Sequence, residues 1–386
     1  MGMNILKFIA WLAEFAALAG CFYGLAAAFL VGQFAARPRL PAGAGPPVTM
    51  LKPLCGEDPG LYDNLASFCA QNYPTFQILC GVQDPGDPAI ETVKRLQSEY
   101  PERDITLVVD SQPHGQNLKV ANLINMLPKA RHDLLVVVDS DMRAAEDFLS
   151  VAVGPLADSS VGLVTFLYRG VAATPILWSQ LATLHINHGF LPQALAGEAL
   201  QPRVATFGAA MAFRRVTLEA AGGFAAVADT LADDNALGAA IRRQGKSLAV
   251  APLLLDNWLT EPSLAAMFRH ELRWSLTIRR LSPWGYAGSV ITHAVALAVL
   301  AVTLGGLAGN PGSVALAVLI IALLSRFAMV RIIDRALALP RTQTWLIPVR
   351  DLLSFAVFVA SFCTRTVAWR NRRFRVDRQG QLTLGS

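Results

Sequence analysis

Asp139 and Asp141 stand two apart at the end of the run Asp133-Leu-Leu-Val-Val-Val-Asp-Ser-Asp141. Leu135 to Val138 are consecutive apolar residues, the pattern of a strand covered on both faces inside a parallel sheet. Ligands of open α/β sheets bind at the carboxyl ends of such strands. Two carboxylates there can converge on one hard cation, which takes oxygen ligands and shares them with phosphates. The same residues also fit a pair of solvated acids opening a turn, since so short a motif recurs by chance.

Other residues of suitable type occupy comparable places. Asp84 closes an apolar run in Gly81-Val-Gln-Asp-Pro-Gly-Asp87, where an acid can accept hydrogen bonds from a base or ribose. Asp87, followed by Pro88, suits a helix N-cap better. Lys52 ends the first apolar strand and Lys119 opens the helix after the third. Either can meet a phosphate, Lys119 with help from a helix N-terminus, and each can equally be a solvated lysine. Asp233 and Asp234 open a helix, where acids serve as caps or dipole partners, or as a general base drawing a proton from a hydroxyl. His270, Arg273 and Trp274 fall on adjoining turns of one helix. An arginine there can neutralise a departing diphosphate and a tryptophan can wall a pocket, although both are ordinary headgroup anchors. His185 and His188, on an apolar helical stretch, read as packed core histidines before they read as pocket lining.

Positioning these groups requires a layered scaffold. From Val48 onward, apolar strands alternate with amphipathic helices, which is the pattern of an α/β domain. Strands are expected at 48–52, 76–83, 104–109, 134–139, 161–167, 205–213 and 247–254, and helices at 60–71, 88–99, 117–127, 145–156 and 231–244. Before this region, Ile5 to Phe34 is apolar except for Lys7, Glu14 and Gln33. That run is too long for a signal-peptide core, and Arg37 and Arg39 flank it as a cytoplasmic stop, so 1–36 reads as a transmembrane anchor. Residues 41–47 have linker composition. The stretch 262–282 mixes Phe268, Leu272 and Ile278 with Arg269, Arg279 and Arg280, as a helix lying among lipid headgroups would. Spans at 287–309 and 312–330 read as a hairpin turning at Gly309-Asn-Pro-Gly312. The charge-free core of the last apolar run, Leu352 to Thr364, falls short of the roughly 20 residues a spanning helix needs. It is expected to be re-entrant or interfacial, with the basic tail Arg370 to Arg375 in the cytosol.

Composition agrees with membrane residence. Of 386 residues, 53% are hydrophobic and 16% charged, well below the roughly 25% charged residues of soluble domains. The net charge of +5 lies mostly beside apolar segments, which favours anionic headgroups over nucleic acid, and no aromatic-basic nucleic-acid module is visible. Cys21, Cys55, Cys69, Cys80 and Cys363 have no metal-ligand spacing and read as reduced, space-filling residues.

Each signal is weak alone, but their order is specific: an acid, Asp-X-Asp, a later acid pair, then xxRW, all between an anchor and a membrane hairpin. In this order the chain resembles the membrane-bound inverting glycosyltransferases with a GT-A domain, whose signature is D, DxD, D, (Q/R)xxRW. Within them it is similar to the ceramide glucosyltransferase family, and most to its bacterial branch of hopanoid-biosynthesis glycosyltransferases. The resemblance is carried by Leu51 to Gly56, Gly81 to Pro85, Asn117 to Asn125, Val138 to Arg143, Gly162 to Thr165, Leu231 to Asp234 and His270 to Trp274. It covers 48–290 closely and the apolar segments in kind.

The resemblance implies that Asp84 binds the uridine end of a UDP-sugar and that Asp139 and Asp141 hold the diphosphate through Mg²⁺ or Mn²⁺. It makes Asp234 the base, and sets Arg273 and Trp274 over diphosphate and acceptor. The loop Thr206-Phe-Gly-Ala-Ala-Met211 matches the stretch beside the donor sugar, where Gly208 permits close backbone approach. His270 replaces the signature's Gln or Arg, so its diphosphate contact is expected to be weaker or pH-dependent. The implied whole is a multi-pass protein of the bacterial inner membrane. Its anchor is 1–36, its cytoplasmic GT-A domain 37–261, its interfacial helix 262–286, its hairpin 287–333 and its membrane-associated tail 334–386. It would transfer N-acetylglucosamine from UDP-N-acetylglucosamine to a hopanoid polyol such as bacteriohopanetetrol, or, alternatively, glucose from UDP-glucose to ceramide. A processive polysaccharide synthase would need more spanning helices than are visible. A non-enzymatic lipid-binding protein would place functional charges inside its spans, where Glu14 and Arg326 are the few that stand out.

Overall fold

The computed structural model describes residues 2–39, 45–56, 58–309, 312–364, 366–369, 372–376 and 382–384. Parts of the linker expected at 41–47, of the turn at 309–312 and of the basic run at 370–375 lie outside these residues. Strands β1 (Val48–Pro53), β2 (Phe76–Val82), β3 (Asp104–Val109), β4 (Leu134–Val138), β5 (Met142–Arg143), β6 (Val161–Ala172), β7 (Ala210–Arg214) and β8 (Ser247–Leu259) form one sheet. Its order is β3-β2-β1-β4-β7-β6-β8-β5. The first half, β3-β2-β1-β4, is parallel, while β7 runs antiparallel to both β4 and β6.

Around the sheet lie α1 (Gly2–Ala35), α2 (Leu61–Cys69), α3 (Ala89–Glu99), α4 (Leu118–Met126), α5 (Phe148–Val153), α6 (Leu177–His185), α7 (Leu191–Leu200), α8 (Arg215–Ala220) and α9 (Asp233–Arg243). Then follow α10 (Leu264–Leu281), α11 (Pro283–Gly288), α12 (Ala294–Leu307), α13 (Gly312–Ala336) and α14 (Leu346–Cys363). The chain closes on a small antiparallel sheet of β9 (Thr366–Trp369), β10 (Arg372–Val376) and β11 (Leu382–Leu384).

Strand alternation divides the apolar residues into two cores, because successive side chains point to opposite faces. Met50, Ile78, Cys80, Val136 and Val138 face α2, α3 and α5, where Phe68 and Phe148 are fully buried. Leu51, Leu79, Leu135 and Val137 face α4, α8 and α9 through Leu123, Leu218 and Ile241. Burying each such side chain contributes about 1.5–3 kcal/mol. From β1 the chain moves outward to β2 and β3, then returns across β1 to β4. That reversal opens a crevice at the carboxyl ends of β1 and β4, the place where α/β sheets bind ligands.

Three strand expectations need correction, the first being that β6, expected to stop at 167, runs on to Ala172. β7 starts at Ala210, so 205–209 is a loop, held where Phe207 N and Thr165 Oγ1 lie 2.7 Å apart. β8 continues five residues beyond 254, to Leu259, because Pro252 falls in an irregularity where the register jumps from Thr165–Val250 to Leu167–Leu254. Such an irregularity is where a strand tolerates a proline that cannot donate to the ladder.

Among the described residues, three helices are long and apolar enough to cross a membrane: Asn4–Ala35, Gly312–Ala336 and Leu346–Cys363. The first arm of the expected hairpin is not one straight helix, since Pro283–Thr292 and Ala294–Leu307 meet at 72°. α12 packs against α1 and α13 through Ala17, Ala298, Val318 and Ala322, small residues that let helices approach closely. A Cβ at Gly20 would run into the Ile291 carbonyl. The last apolar helix has 18 residues, longer than its charge-free core, because it starts at Leu346 and includes Arg350 and Asp351. Both charges are compensated: Arg350 pairs with Glu271 at 2.7 Å and Asp351 with Arg326 at 2.8 Å.

Candidate active site

The crevice is assembled around Lys119. Asn117 starts α4 by accepting hydrogen bonds from Lys119 N and Val120 N, which sets Lys119 in the first helical turn. Its ammonium lies 2.5 Å from Asp139 Oδ1, 3.4 Å from the Gly208 carbonyl and 4.0 Å from Asp233 Oδ2. Burial alone would lower this lysine, but Asp139, Asp233 and Asp234 outweigh it and raise it above the usual lysine range. The cation therefore stays charged and joins three loops separated in sequence.

Asp139 and Asp141 follow β4 at the reversal. Asp141 accepts a hydrogen bond from Asn257 Nδ2 at 2.9 Å. Burial first, and the neighbouring Asp139 charge second, push its carboxyl up to about 6. Two carboxylates on the wall of one cavity suit a small divalent cation that completes its shell with substrate phosphates. Among the described residues no cluster of three or more His, Cys, Asp or Glu forms an all-protein metal cage.

Asp233 and Asp234 begin α9, as expected. Asp234 Oδ1 accepts from Asn235 N at 2.7 Å, and a Cβ at Gly208 would sit 3.1 Å from Asp234 Oδ2. Gly208 thus lets the backbone of the 205–209 loop approach the acid. Burial, then the adjacent Asp233 charge, push Asp234 up to about 6, and burial raises Asp233 as well. A carboxylate held near the operating pH is matched to general-base work.

α10 brings the third group. His270 Nδ1 lies 2.9 Å from Glu261 Oε1, and the His270 and Trp274 rings are 4.4 Å apart. Glu271 between them points away from the cavity, into a bidentate pair with Arg350 that ties α10 to α14. Arg273 and Trp274 line the same cavity as the acids, a space of about 1140 Å³.

That cavity gathers Lys119, Asp139, Asp141, Gly208, Asp233, Asp234, His270, Arg273 and Trp274. Two expected residues are placed differently. Lys52 does not reach the cavity: it is fully buried, donates to the Asp139 main-chain oxygen at 2.7 Å and lies over the Phe68 ring. Burial lowers it to about 8. It braces the Asp139 turn rather than presenting an ammonium to phosphate. Asp84 is exposed at the end of β2, outside the cavity lining, and accepts from Gly86 N at 2.9 Å. Asp87 is a local cap as expected, accepting from Ala89 N and Gly56 N.

Sequence reasoning missed Asn257, Tyr168 and Glu261. Asn257 and Glu261 lie beyond 254, where the expected strand stopped. Tyr168 lies on the unforeseen extension of β6, lines the cavity and is raised by burial. His185 and His188 line the cavity too, on a stretch whose chemistry is hidden by its apolar neighbours.

The architecture is similar to that of a mannosyltransferase from Pyrobaculum calidifontis solved in complex with GDP-Man and Mn²⁺. The two share 19% identity over 92% of this chain and 99% of that one, with a TM-score of 0.53. Among curated relatives, ceramide glucosyltransferase 3 of Caenorhabditis elegans is 26% identical over 234 residues, 59% of this chain and 50% of that protein. A ceramide glucosyltransferase of Candida albicans is 36% identical over 118 residues, 28% of this chain and 22% of that protein. The chain thus spans half or less of the length of these relatives. The fold is the GT-A glycosyltransferase type, and with residues 12–382 matching the model of glycosyl transferase family 21, the chain belongs to that family.

Proposed function

We propose that this protein transfers one sugar from a UDP-sugar to a hydroxyl of a membrane lipid, inverting the anomeric carbon. One observation carries the reading. A single cavity runs from Asp139, Asp141, Asp234 and Arg273 to residues of the apolar helices, including Gly20 and Tyr23 of α1 and Val357 and Phe358 of α14. A water-soluble donor and a lipid acceptor can meet only in a space with both kinds of wall.

In the reaction, the Asp234 carboxylate takes the proton of the acceptor hydroxyl as that oxygen bonds to the sugar carbon from the face opposite UDP. The bond between that carbon and the diphosphate oxygen breaks, and its electron pair leaves with UDP. Arg273, on the cavity wall, would meet the departing charge, and Trp274 would wall the acceptor side. Asp139 and Asp141 would hold Mg²⁺ or Mn²⁺, which when bound neutralises diphosphate charge. Lys119, 2.5 Å from Asp139 Oδ1, orients that carboxylate. Asp84, at the neighbouring strand end, suits the uridine.

Glucose to ceramide is supported by the names of the curated relatives, and N-acetylglucosamine to a hopanoid polyol by the sequence resemblance. The domain reading follows: 1–36 as anchor, 37–261 as the catalytic domain facing the bacterial cytoplasm, 262–286 at the headgroups, and 287–333 and 334–386 with the membrane. Membranes containing the protein, incubated with labelled UDP-glucose or UDP-N-acetylglucosamine, should yield a labelled lipid carrying one sugar, identified by mass spectrometry. Label confined to polymer, or none in lipid, would reject the proposal.

A further inference from the structure

The cavity wall away from the acids is not uniformly apolar. Between α6 and α7 the helix slips into one π turn, Ile186–Phe190, a form that often marks functional positions. His188 in this turn is 3% exposed and lines the cavity. Its Nε2 lies 2.8 Å from Asp334 Oδ1 on α13. A carboxylate accepts, so Nε2 carries the hydrogen, and a neutral ring then offers Nδ1 as a bare acceptor. Burial lowers His188 from its ordinary value, which keeps the ring neutral.

That Nδ1 is buried and has no hydrogen-bond partner among the described residues. Its surroundings are held firmly. Arg326 donates to the His188 main-chain oxygen at 2.9 Å and pairs with Asp351. Asp334, which sets the tautomer, also accepts from Thr342 Oγ1 at 3.2 Å. His185, three residues earlier, repeats the feature: its Nδ1 is buried and unpartnered, and its ring lies 6.4 Å from Trp274. A buried acceptor is costly unless something donates to it, and rigid polar groups on a pocket wall reject ligands that leave them unpaired.

We propose that His188 Nδ1 is a recognition subsite for the lipid acceptor, taking a hydrogen bond from a hydroxyl or amide N–H other than the hydroxyl that receives the sugar. This rests on the lipid-acceptor reading and narrows it. The substrate is a lipid with a second donor near its reacting hydroxyl, and a lipid with one hydroxyl alone is a poor acceptor.

The test compares three lipid probes in detergent with the purified protein. N-octanoylsphingosine carries an amide and a second hydroxyl, 1-O-hexadecylglycerol a second hydroxyl only, and 1,2-dioctanoylglycerol no further donor. Wild type should show kcat/KM about tenfold or more higher for a donor-bearing probe than for dioctanoylglycerol, the penalty of one buried hydrogen bond unmade. Preference for the first probe alone assigns the amide, and preference for both assigns the hydroxyl. His188→Phe should erase the difference through the acceptor KM, with UDP affinity retained. His188→Phe combined with Asp334→Asn, which leaves no buried carboxylate without its histidine, should behave alike. Equal wild-type activity on all three probes overturns the subsite whether or not the variants fold, as does a preference that survives both variants. Transfer to none of the three by protein that binds UDP would instead overturn the lipid-acceptor reading.

Discussion

Arg350→Met should destabilise the protein far more than loss of an equally short surface pair. The Arg350 guanidinium bonds Glu271 at 2.8 and 2.7 Å, with only 1% and 4% of the two side chains exposed. Unit charges at this separation attract by about 6 kcal/mol at an effective dielectric of about 20, an attraction largely offset by the cost of taking both from water. Removing one partner forfeits the attraction and leaves the Glu271 charge buried, so about 3–5 kcal/mol of unfolding free energy should be lost. Arg95 and Glu99 approach to the same 2.7 Å, yet their side chains are 61% and 40% exposed, and Arg95→Met should leave unfolding unchanged. Adding Glu271→Leu to Arg350→Met should recover most of the loss, because no lone charge then remains inside. Denaturant unfolding of detergent-solubilised protein, followed by tryptophan fluorescence, measures all three. Glu271 lies between His270 and Arg273, so Arg350→Met should also raise the acceptor KM more than it weakens UDP binding. The reasoning fails if Arg350→Met is no worse than Arg95→Met, or if the double variant is no better than the single one.

Three further outcomes are expected. Asp234→Asn keeps the shape of the side chain and should lower kcat by about 10²–10⁴ with UDP affinity intact; full transfer of labelled sugar would remove it as the base. Because the folded carboxyl of Asp234 stands at about 6, it is protonated and idle below that pH, so kcat/KM should rise with pH and level off above about 6. Asp233→Asn deletes one cause of that elevation and should move the inflection to lower pH, which a pH–rate profile would detect. Chelation should abolish transfer and Mn²⁺ or Mg²⁺ restore it, with Asp141→Ala unresponsive to either ion; activity indifferent to chelator would take the cation out of the site.

The α/β layering was legible because its signals are local. Alternation through Met50-Leu51 and Val136-Val137 assigns each residue to one of the two cores, and a strand ending in Asp139-Ser-Asp141 marks its own carboxyl edge. The acid pair at the head of α9 and the histidine, arginine and tryptophan of α10 were equally plain, since helical spacing alone places them. That these groups share one cavity depends on segments brought together over 20 to 114 residues, most directly where Lys119 meets Asp139, Gly208 and Asp233.

Other features exist only through long-range contact. No local pattern links Lys52 to the Asp139 carbonyl, Glu261 to His270, or Glu271 to Arg350 across |i−j| = 79. Read along the chain, Arg350 and Asp351 interrupt an apolar run, and Pro252 falls inside an expected strand, where it cannot donate to a ladder. In the folded protein the charges are neutralised by partners on other helices, and the proline sits where the ladder is already irregular. Side-chain type and spacing thus establish the elements and the candidate groups. Whether a lysine faces ligand or core, and whether a buried charge is tolerated, depends on desolvation and pairing, and those arise only when distant segments pack.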